Sequence, residues 1–399
     1  MTNTHVSGSI GSQSIRGPET LLGFRPVSGL RTGDGHVVAD GRLFRSATPQ
    51  FTSAAEAATL VADTGLAQVI DLRLDTESRI EGSGGLEGTG VSMTNIPLAI
   101  REPVAAGSSV APMTATDPLV GTYLEYLGAR QAFPAIVDTL LAGGVDQARG
   151  GLPALIHCTV GKDRTGVVVG LLLDAIGVLR HDIGVDYVAR SEDVPAMMGR
   201  LVEMQTFGDA VKVYPPQAYQ ADPATMLRFL AWMDIEHGGA RKWLESVGVT
   251  DVQLTQLAER LLLPDNGPQV TQILRSAVLP ATADEVWALV GDTAGVHRWV
   301  PGLADTTVDG DVRTATFDDG GKAHELIVAH DNDGRSYTYR YLDGPIPLDA
   351  YESTVTVGPE LDGDGSLVVW NATLQASPEI VSAVEGLYDA GIGRLRELF

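Results

Sequence analysis

The sequence predicts an α/β unit built on a parallel-type sheet flanked by helices. It is followed by an α+β unit with an antiparallel sheet and a long C-terminal helix. Three patterns point there. The apolar run Leu152–Ile156 leads through His157-Cys158-Thr159-Val160-Gly161-Lys162-Asp163-Arg164-Thr165-Gly166 into a second apolar run, Val167–Leu173, which reads as strand, tight loop and helix N-terminus. Short apolar segments alternate with helical ones through residue 263. Past Gln272 the pattern becomes period-two strands split by Asp-Gly turns, closed by a helical stretch from Pro378.

Taken in order, residues 1–19 are Ser/Gly-rich without an apolar core and are expected to form a disordered tail. A short strand passes through Val37-Val38 after the Gly33-Asp34-Gly35 turn. A helix is expected from Ser53 to Thr64, ended by Gly65 in the left-handed conformation, and a buried strand over Val69–Arg73. Another strand is expected over Val91–Leu98, then a Gly/Ser/Pro-rich loop from Pro103 to Asp117, a length typical of functional lids. Helices follow from Asp117-Pro118 to Tyr126 and over Phe133–Leu141. The helix after the cysteine loop ends near Gly177, and a mostly helical stretch runs to Leu263. Pro264-Asp265-Asn266-Gly267-Pro268 breaks the pattern, so the expected division is 20–263, a linker at 264–270, and 271–399. In the last unit Thr282-Ala283-Asp284-Glu285 is a capping box, and Ile380, Val384, Leu387, Tyr388, Ile392 and Leu395 share one face of the final helix.

Composition narrows the function. Of 399 residues one is cysteine, so no disulfide can form within the chain, and a cytoplasmic setting is the simplest expectation. The net charge is −23, with 8 basic and 21 acidic residues after residue 269, a surface that repels nucleic acid. No apolar run is long enough to span a bilayer; the densest, Gly166–Leu173, stops at Asp174. The Asp-Gly clusters at 331–334 and 362–365 lack a downstream glutamate at calcium-loop spacing, and no histidine set has ligand spacing, so neither metal nor other cofactor is expected.

The cysteine loop is suited to an oxyanion. Backbone N–H groups of a Gly-containing loop and of a first helical turn converge there, and the helix dipole favours negative charge, including a thiolate. His157-Cys158 with Gly161-Lys162-Asp163-Arg164-Thr165-Gly166 resembles the Cys-x5-Arg signature of cysteine-dependent phosphatases, and more narrowly the atypical bacterial tyrosine phosphatases. Gly41-Arg42-Leu43-Phe44-Arg45-Ser46 and the strand ending Asp71-Leu72-Arg73 are similar to the same family. So are the helix Pro223–His237 with Gly238-Gly239, and Trp243-Leu244 with Gly248-Val249. The family's opening Asn-Phe-Arg-Asp is here Gly23-Phe24-Arg25-Pro26. Residues 271–399 resemble START-like helix-grip proteins of the polyketide-cyclase type through Val278-Leu279-Pro280-Ala281, Val286-Trp287 and His297–Pro301. The first resemblance implies a cysteine-phosphatase-like fold with its site at the strand C-terminal ends. The second implies an apolar ligand between sheet and long helix, or an apolar helix face that simply closes a packed core.

The phosphatase resemblance implies roles. Cys158 is the nucleophile that forms a phosphocysteine. Arg164 clamps the phosphate in two parallel hydrogen bonds, and Thr159, Val160, Gly161, Lys162, Thr165 and Gly166 complete the cradle. Thr165 either donates its hydroxyl to the thiolate or merely starts the helix, and His157 orders the loop backbone. Lys162 is either a positive rim to the pocket or a solvated loop residue. Asp163 is the first candidate general acid and Asp117 the second, with Asp71 structural. The implied substrate is a phosphotyrosine, phosphoserine or phosphothreonine protein, a phosphoinositide or a small phosphomonoester. A carrier of hydrophobic molecules whose phosphatase-like part is regulatory or vestigial is the competing reading. A thiol enzyme of the rhodanese or arsenate-reducing kind fits worse, because no second cysteine can resolve a disulfide.

Overall fold

The computed structural model describes residues 17–99, 117–142, 151–207, 221–361 and 363–399. Residues 1–16 of the expected tail, most of the Pro103–Asp117 segment and Asp362 lie outside them. The N-terminal elements are β1 (Arg25–Pro26), β2 (His36–Val38), β3 (Leu43–Ser46), α1 (Ala54–Thr64), β4 (Gln68–Asp71), α2 (Asp75–Glu81), β5 (Ser92–Asn95), α3 (Pro118–Tyr126), α4 (Ala132–Leu141), β6 (Ala154–His157), α5 (Asp163–Ala175), α6 (Arg180–Val188), α7 (Val194–Glu203), α8 (Pro223–His237), α9 (Ala240–Ser246), α10 (Asp251–Leu261) and β7 (Leu262–Pro264). Local chemistry explains the main boundaries. Ser53 and Glu56 close a capping box on α1 and Gly65 ends it at φ 64°, while Gly238 ends α8 at φ 72°.

The sheet order is β1-β3-β6-β4-β5, with β3, β6, β4 and β5 parallel and β1 antiparallel at the edge. Ser46 and Asp71 both pair with His157, so the three central strands end at one level. The loop after β6 therefore emerges between the chain segments leaving β3 and β4, at the sheet's C-terminal edge where open α/β sheets bind ligands. The helix after the loop starts at Asp163, placing Arg164 within its first turn rather than ahead of it.

The residues expected to form a linker begin inside structure. Pro264 is the last residue of β7 and pairs with His36, and Asp265 N donates to Gly35 O at 2.9 Å. Proline is tolerated there because the terminal position of a short edge strand needs no N–H.

Then come β8 (Thr271–Leu279), α11 (Ala283–Val290), β9 (Leu303–Asp309), β10 (Val312–Phe317), β11 (Lys322–Asp331), β12 (Ser336–Asp343), β13 (Ala350–Pro359), β14 (Ser366–Gln375) and α12 (Pro378–Leu398). The seven-stranded sheet has the order β8-β14-β13-β12-β11-β10-β9, antiparallel throughout. The Asp-Gly turns join its hairpins. Val384, Tyr388, Ile392 and Leu395 of α12 are buried against the inner face, where Trp370 stacks on Tyr388 with ring centroids 3.8 Å apart.

The two sheets share a wall. β14 is buried on both faces: Val368 and Trp370 join the core under α12, whereas Leu367 and Val369 join the N-terminal core around α8. This explains why α8 is buried all round from Ala224 to Met233 instead of showing an amphipathic face. No described helix is long and apolar enough to cross a membrane.

Candidate active site

Cys158 leaves the end of β6, 2% exposed, and its Sγ accepts the Gly161 N–H at 3.2 Å. The loop can turn this tightly only because position 161 is glycine. Its φ is 74°, and a Cβ would come within 2.2 Å of the Ser46 carbonyl oxygen. Three outside contacts brace the loop backbone. Thr48 N donates to Thr159 O at 3.0 Å, Arg45 Nη2 donates to Gly161 O at 2.9 Å, and His157 Nδ1 lies 3.1 Å from Cys158 O. The last is a contact of the His157 ring with the loop's own backbone. Burial lowers the His157 pKa, Asp71 opposes this, and the His157 Nε2 has no hydrogen-bond partner among the described residues.

Arg45 is itself buried and anchored by Asp186 of α6, with Nη1 donating to Oδ2 at 2.6 Å. Arg25 donates to the Asp186 carbonyl at 2.6 Å. Its own burial and the neighbouring Arg45 charge bring Arg25 down to about 10. The Gly41–Ser46 stretch thus contributes a guanidinium that holds the phosphate loop from behind.

Arg164 faces a residue that sequence reading passed over. Glu77, in the first turn of α2, takes Nη1 on Oε2 at 2.7 Å and Nη2 on Oε1 at 3.1 Å. Nη2 also donates to Thr159 Oγ1 at 3.0 Å, and that hydroxyl donates to Glu77 Oε1 at 2.9 Å. Burial disfavours both charges, yet each partner outweighs it for the other. Glu77 is held below and Arg164 above its ordinary range. The fork is therefore fixed on its Nη edge, while Nε makes no hydrogen bond among the described residues. Glu77 sits three residues after Leu74, whose N–H it accepts at 2.7 Å, so the only local signal was a glutamate at the third position of a helix.

Asp163 lies on the loop side of α5 with its Oδ1 accepting from Tyr123 Oη at 2.7 Å and 3.2 Å from Lys162 Nζ. Burial, with Asp163's charge, keeps the Tyr123 phenol well above its ordinary range and hence a donor. Tyr126, half-buried on the same helix, is also raised by burial, against the opposing Arg164 charge and with Asp163 and Cys158 adding to the rise. Lys162 is 6% exposed with its Nζ 3.2 Å from Asp163 Oδ1, so it is not a solvated loop lysine. The Thr165 hydroxyl is buried and has no hydrogen-bond partner among the described residues, the Cys158 thiol included.

Asp117 departs furthest from expectation. It stands at the start of α3, and its Oδ2 accepts from Arg228 Nε at 2.8 Å. Six residues of α3, about 9 Å of helix, separate it from Tyr123, which reaches Asp163. Asp71, as expected, is structural: it binds Arg73 through Oδ2 at 2.7 Å and is brought to about 2, burial being overcome by His157 and Arg73. Among the described residues no cluster of histidine, cysteine, aspartate or glutamate could hold a metal.

A family model described as the tyrosine phosphatase family matches residues 19–263, more than half of the sequence. The chain belongs to the tyrosine phosphatase family. A second model, described as polyketide cyclase/dehydrase and lipid transport, matches residues 271–399. The chain is 34% identical over 179 residues to a tyrosine-protein phosphatase of Cupriavidus necator, an overlap of 44% of this chain and 62% of that protein. It is 31% identical over 209 residues to the triple specificity protein phosphatase PtpB of Mycobacterium tuberculosis, covering 45% of this chain and 71% of PtpB. The chain thus spans under two thirds of the C. necator relative's length. Among solved structures, the protein XoxI of Bacillus cereus aligns over 32% of this chain and 95% of its own, with 25% identity and a TM-score of 0.31. Within the family's matched segment fall Cys158, Arg164, Asp163 and also Glu77, Arg45 and Tyr123.

Proposed function

We propose that the chain hydrolyses phosphomonoesters through a phosphocysteine. The observation that carries this is the convergence of Cys158, the first turn of α5 and the Glu77-braced Arg164 at the C-terminal edge of the parallel sheet. First-turn N–H groups of α5 have no intrahelical acceptors and point toward the loop's concave side, a site for a phosphate dianion. Bound there, the phosphate takes Arg164 through Nε, and through Nη2 once Thr159 yields its place. Sγ attacks phosphorus in line as the ester P–O bond breaks, and the departing alkoxide takes a proton from Asp163 through Oδ2, the oxygen that Tyr123 leaves free. Water then attacks the phosphocysteine, Asp163 accepts its proton, and phosphate and thiolate are released.

Phosphotyrosine is the first substrate class on this reading, with phosphoserine, phosphothreonine and phosphoinositides beside it. For residues 271–399 we propose binding of a hydrophobic ligand, supported by the polyketide cyclase and lipid-transport model that matches them; the aromatics between α12 and the sheet are packed on one another, so the ligand must displace or skirt the Trp370–Tyr388 stack. A vestigial phosphatase half is disfavoured, because a buried Glu77–Arg164 pair costs desolvation that packing alone would not require.

The test is hydrolysis of p-nitrophenyl phosphate by wild type and Cys158→Ser. Loss of turnover in the variant is expected; wild-type rates in it would refute a thiolate nucleophile. Asp163→Asn sharpens the assignment. It should slow an alkyl phosphate far more than p-nitrophenyl phosphate, whose leaving group departs without a proton.

A further inference from the structure

Arg228 of α8 is 7% exposed, and its guanidinium joins the two sheets. Nε donates to Asp117 Oδ2 at 2.8 Å, and Nη1 donates to Thr356 Oγ1 on β13 at 2.7 Å. The Gly334 carbonyl, in the β11–β12 turn, is 3.5 Å from the same Nη1. Gly358 on β13 makes the space: a Cβ there would approach Arg228 Cδ to 2.4 Å and Asp117 Oδ2 to 3.1 Å. The wall around this contact is apolar, with Leu367 and Val369 of β14 in one core with Val120 and Tyr123 of α3. A second polar tie lies nearby, Arg180 N donating to Gln272 Oε1 at 2.6 Å.

Asp117 is a natural helix cap, yet its carboxylate makes no cap hydrogen bond to α3 and is committed to Arg228 instead. Six residues along, Tyr123 donates to Asp163, and three further, Tyr126 lies beside Arg164 and Cys158. One end of a short helix is therefore fastened to the C-terminal sheet while the other holds the catalytic loop.

We propose that Arg228 is a positioning residue through which the C-terminal sheet sets α3, and with it the Tyr123–Asp163 contact. The proposal rests on the phosphatase reading of the loop. Neither Arg228 nor Thr356 touches substrate; they act through α3, which moves as a unit because a hydrogen-bonded helix transmits a shift at one end to the other. A displacement near 1 Å at a catalytic group is enough to cost as much as about a hundredfold in rate.

Full-length Arg228→Met, Thr356→Val and Gly358→Ala test this. Thr356→Val is the mildest, removing only the acceptor on the far sheet, and it guards against misfolding of the others. With an alkyl phosphomonoester, Arg228→Met is expected to lower kcat about tenfold with little change in KM. In a Tyr123→Phe background it should lower kcat no further, because the link it acts through is already cut; general destabilisation would make the two losses multiply. A readout that does not need turnover is alkylation of Cys158 by iodoacetamide, the chain holding only one thiol. The thiol is buried, so loosening α3 should raise its alkylation rate at least about threefold in Arg228→Met and Thr356→Val. Wild-type alkylation rates in all three variants, or multiplying losses in the double variant, would overturn the proposal. A wild-type chain that turns over no phosphomonoester defeats the phosphatase reading instead, and the alkylation rates still decide for or against the clamp.

Discussion

Glu77 and Arg164 meet in a two-point pair, Nη1 on Oε2 at 2.7 Å and Nη2 on Oε1 at 3.1 Å, with side chains 5% and 11% exposed. The arginine of the phosphate loop is thus aimed by a helix that follows a different strand, β4. The pair leaves Nε without a hydrogen bond among the described residues, and it is to this edge that we assign the phosphate. Glu77→Gln keeps the shape and one acceptor but removes the charge that offsets burial. Breaking one side of a buried pair typically costs about 3–5 kcal/mol, and the retained amide oxygen puts this variant toward the lower end. Thermal unfolding should show that loss. Turnover should fall by more than about tenfold, because the fork is no longer held in its plane.

The same carboxylate makes stability depend on pH. Glu77 lies below its ordinary 4.5, and Asp71 is near 2. The folded chain keeps both ionised where the unfolded chain would protonate them, so the unfolded state binds more protons and stability rises with pH through that window. Their contribution is present above the unfolded carboxylate values and is lost as pH falls through the folded ones. His157 adds to the slope from higher pH, because burial lowers its folded value and the unfolded side chain, at its ordinary 6.5, takes up a proton first. Melting temperature should therefore decline below about pH 6.5 and more steeply below about 4.5. Glu77→Gln should flatten the lower part of the curve; an unchanged slope in that variant would show that Glu77 does not carry it.

Sequence patterns revealed what local periodicity encodes. The strand–loop–helix around Cys158, the capping boxes at Ser53 and Thr282 and the amphipathic face of α12 all rest on contacts within a few residues, and these were legible. Contacts between distant segments were not. Glu77 lay in what reads as a polar turn, 87 residues from the arginine it serves. Arg45 looked like part of a family run, with no sign that it reaches the Gly161 carbonyl. Asp117 was attractive as an acid because it ends a loop of lid length. Only the packing of α8 on β13 shows that Arg228 holds it, with Thr356 behind the same guanidinium. The burial of α8 was likewise hidden, since a helix covered from both sides has no polar face to announce its partner.

Gly161→Ala probes the loop backbone without touching a reactive atom. The residue has φ 74°, and the added methyl would sit 2.2 Å from Ser46 O and 2.6 Å from Ala47 N, both main-chain atoms at the end of β3. Neither can yield as a flexible side chain would. The turn must open, and with it go the Gly161 N–H bond to Sγ and the Arg45 bond to Gly161 O. Loss of turnover together with a drop of a few °C or more in melting temperature is the expected result, each kcal/mol at this chain length being worth only about 2–4 °C or less. Retained activity would mean the positive φ is not needed for the cradle.

Tyr388→Phe isolates the polar centre of the second sheet. Its hydroxyl lies 2.7 Å from both Tyr351 Oη and Ser353 Oγ, and Ser353 in turn accepts Trp370 Nε1 at 3.0 Å and donates to Asn371 O at 3.1 Å. The ring stack on Trp370 depends on the aromatic face alone and survives the change, so the loss reports the hydroxyl. Both neighbours keep other partners, Tyr339 for Tyr351 and both Asn371 O and Trp370 Nε1 for Ser353, which places the cost at about 1–3 kcal/mol. Trp370 Nε1 keeps both of its acceptors, Ser353 Oγ at 3.0 Å and Tyr339 Oη at 3.2 Å, so tryptophan emission should shift only slightly, through the loss of the hydroxyl beside Ser353. A melting curve and emission spectrum identical to wild type would show that the network contributes nothing beyond the packing of its rings.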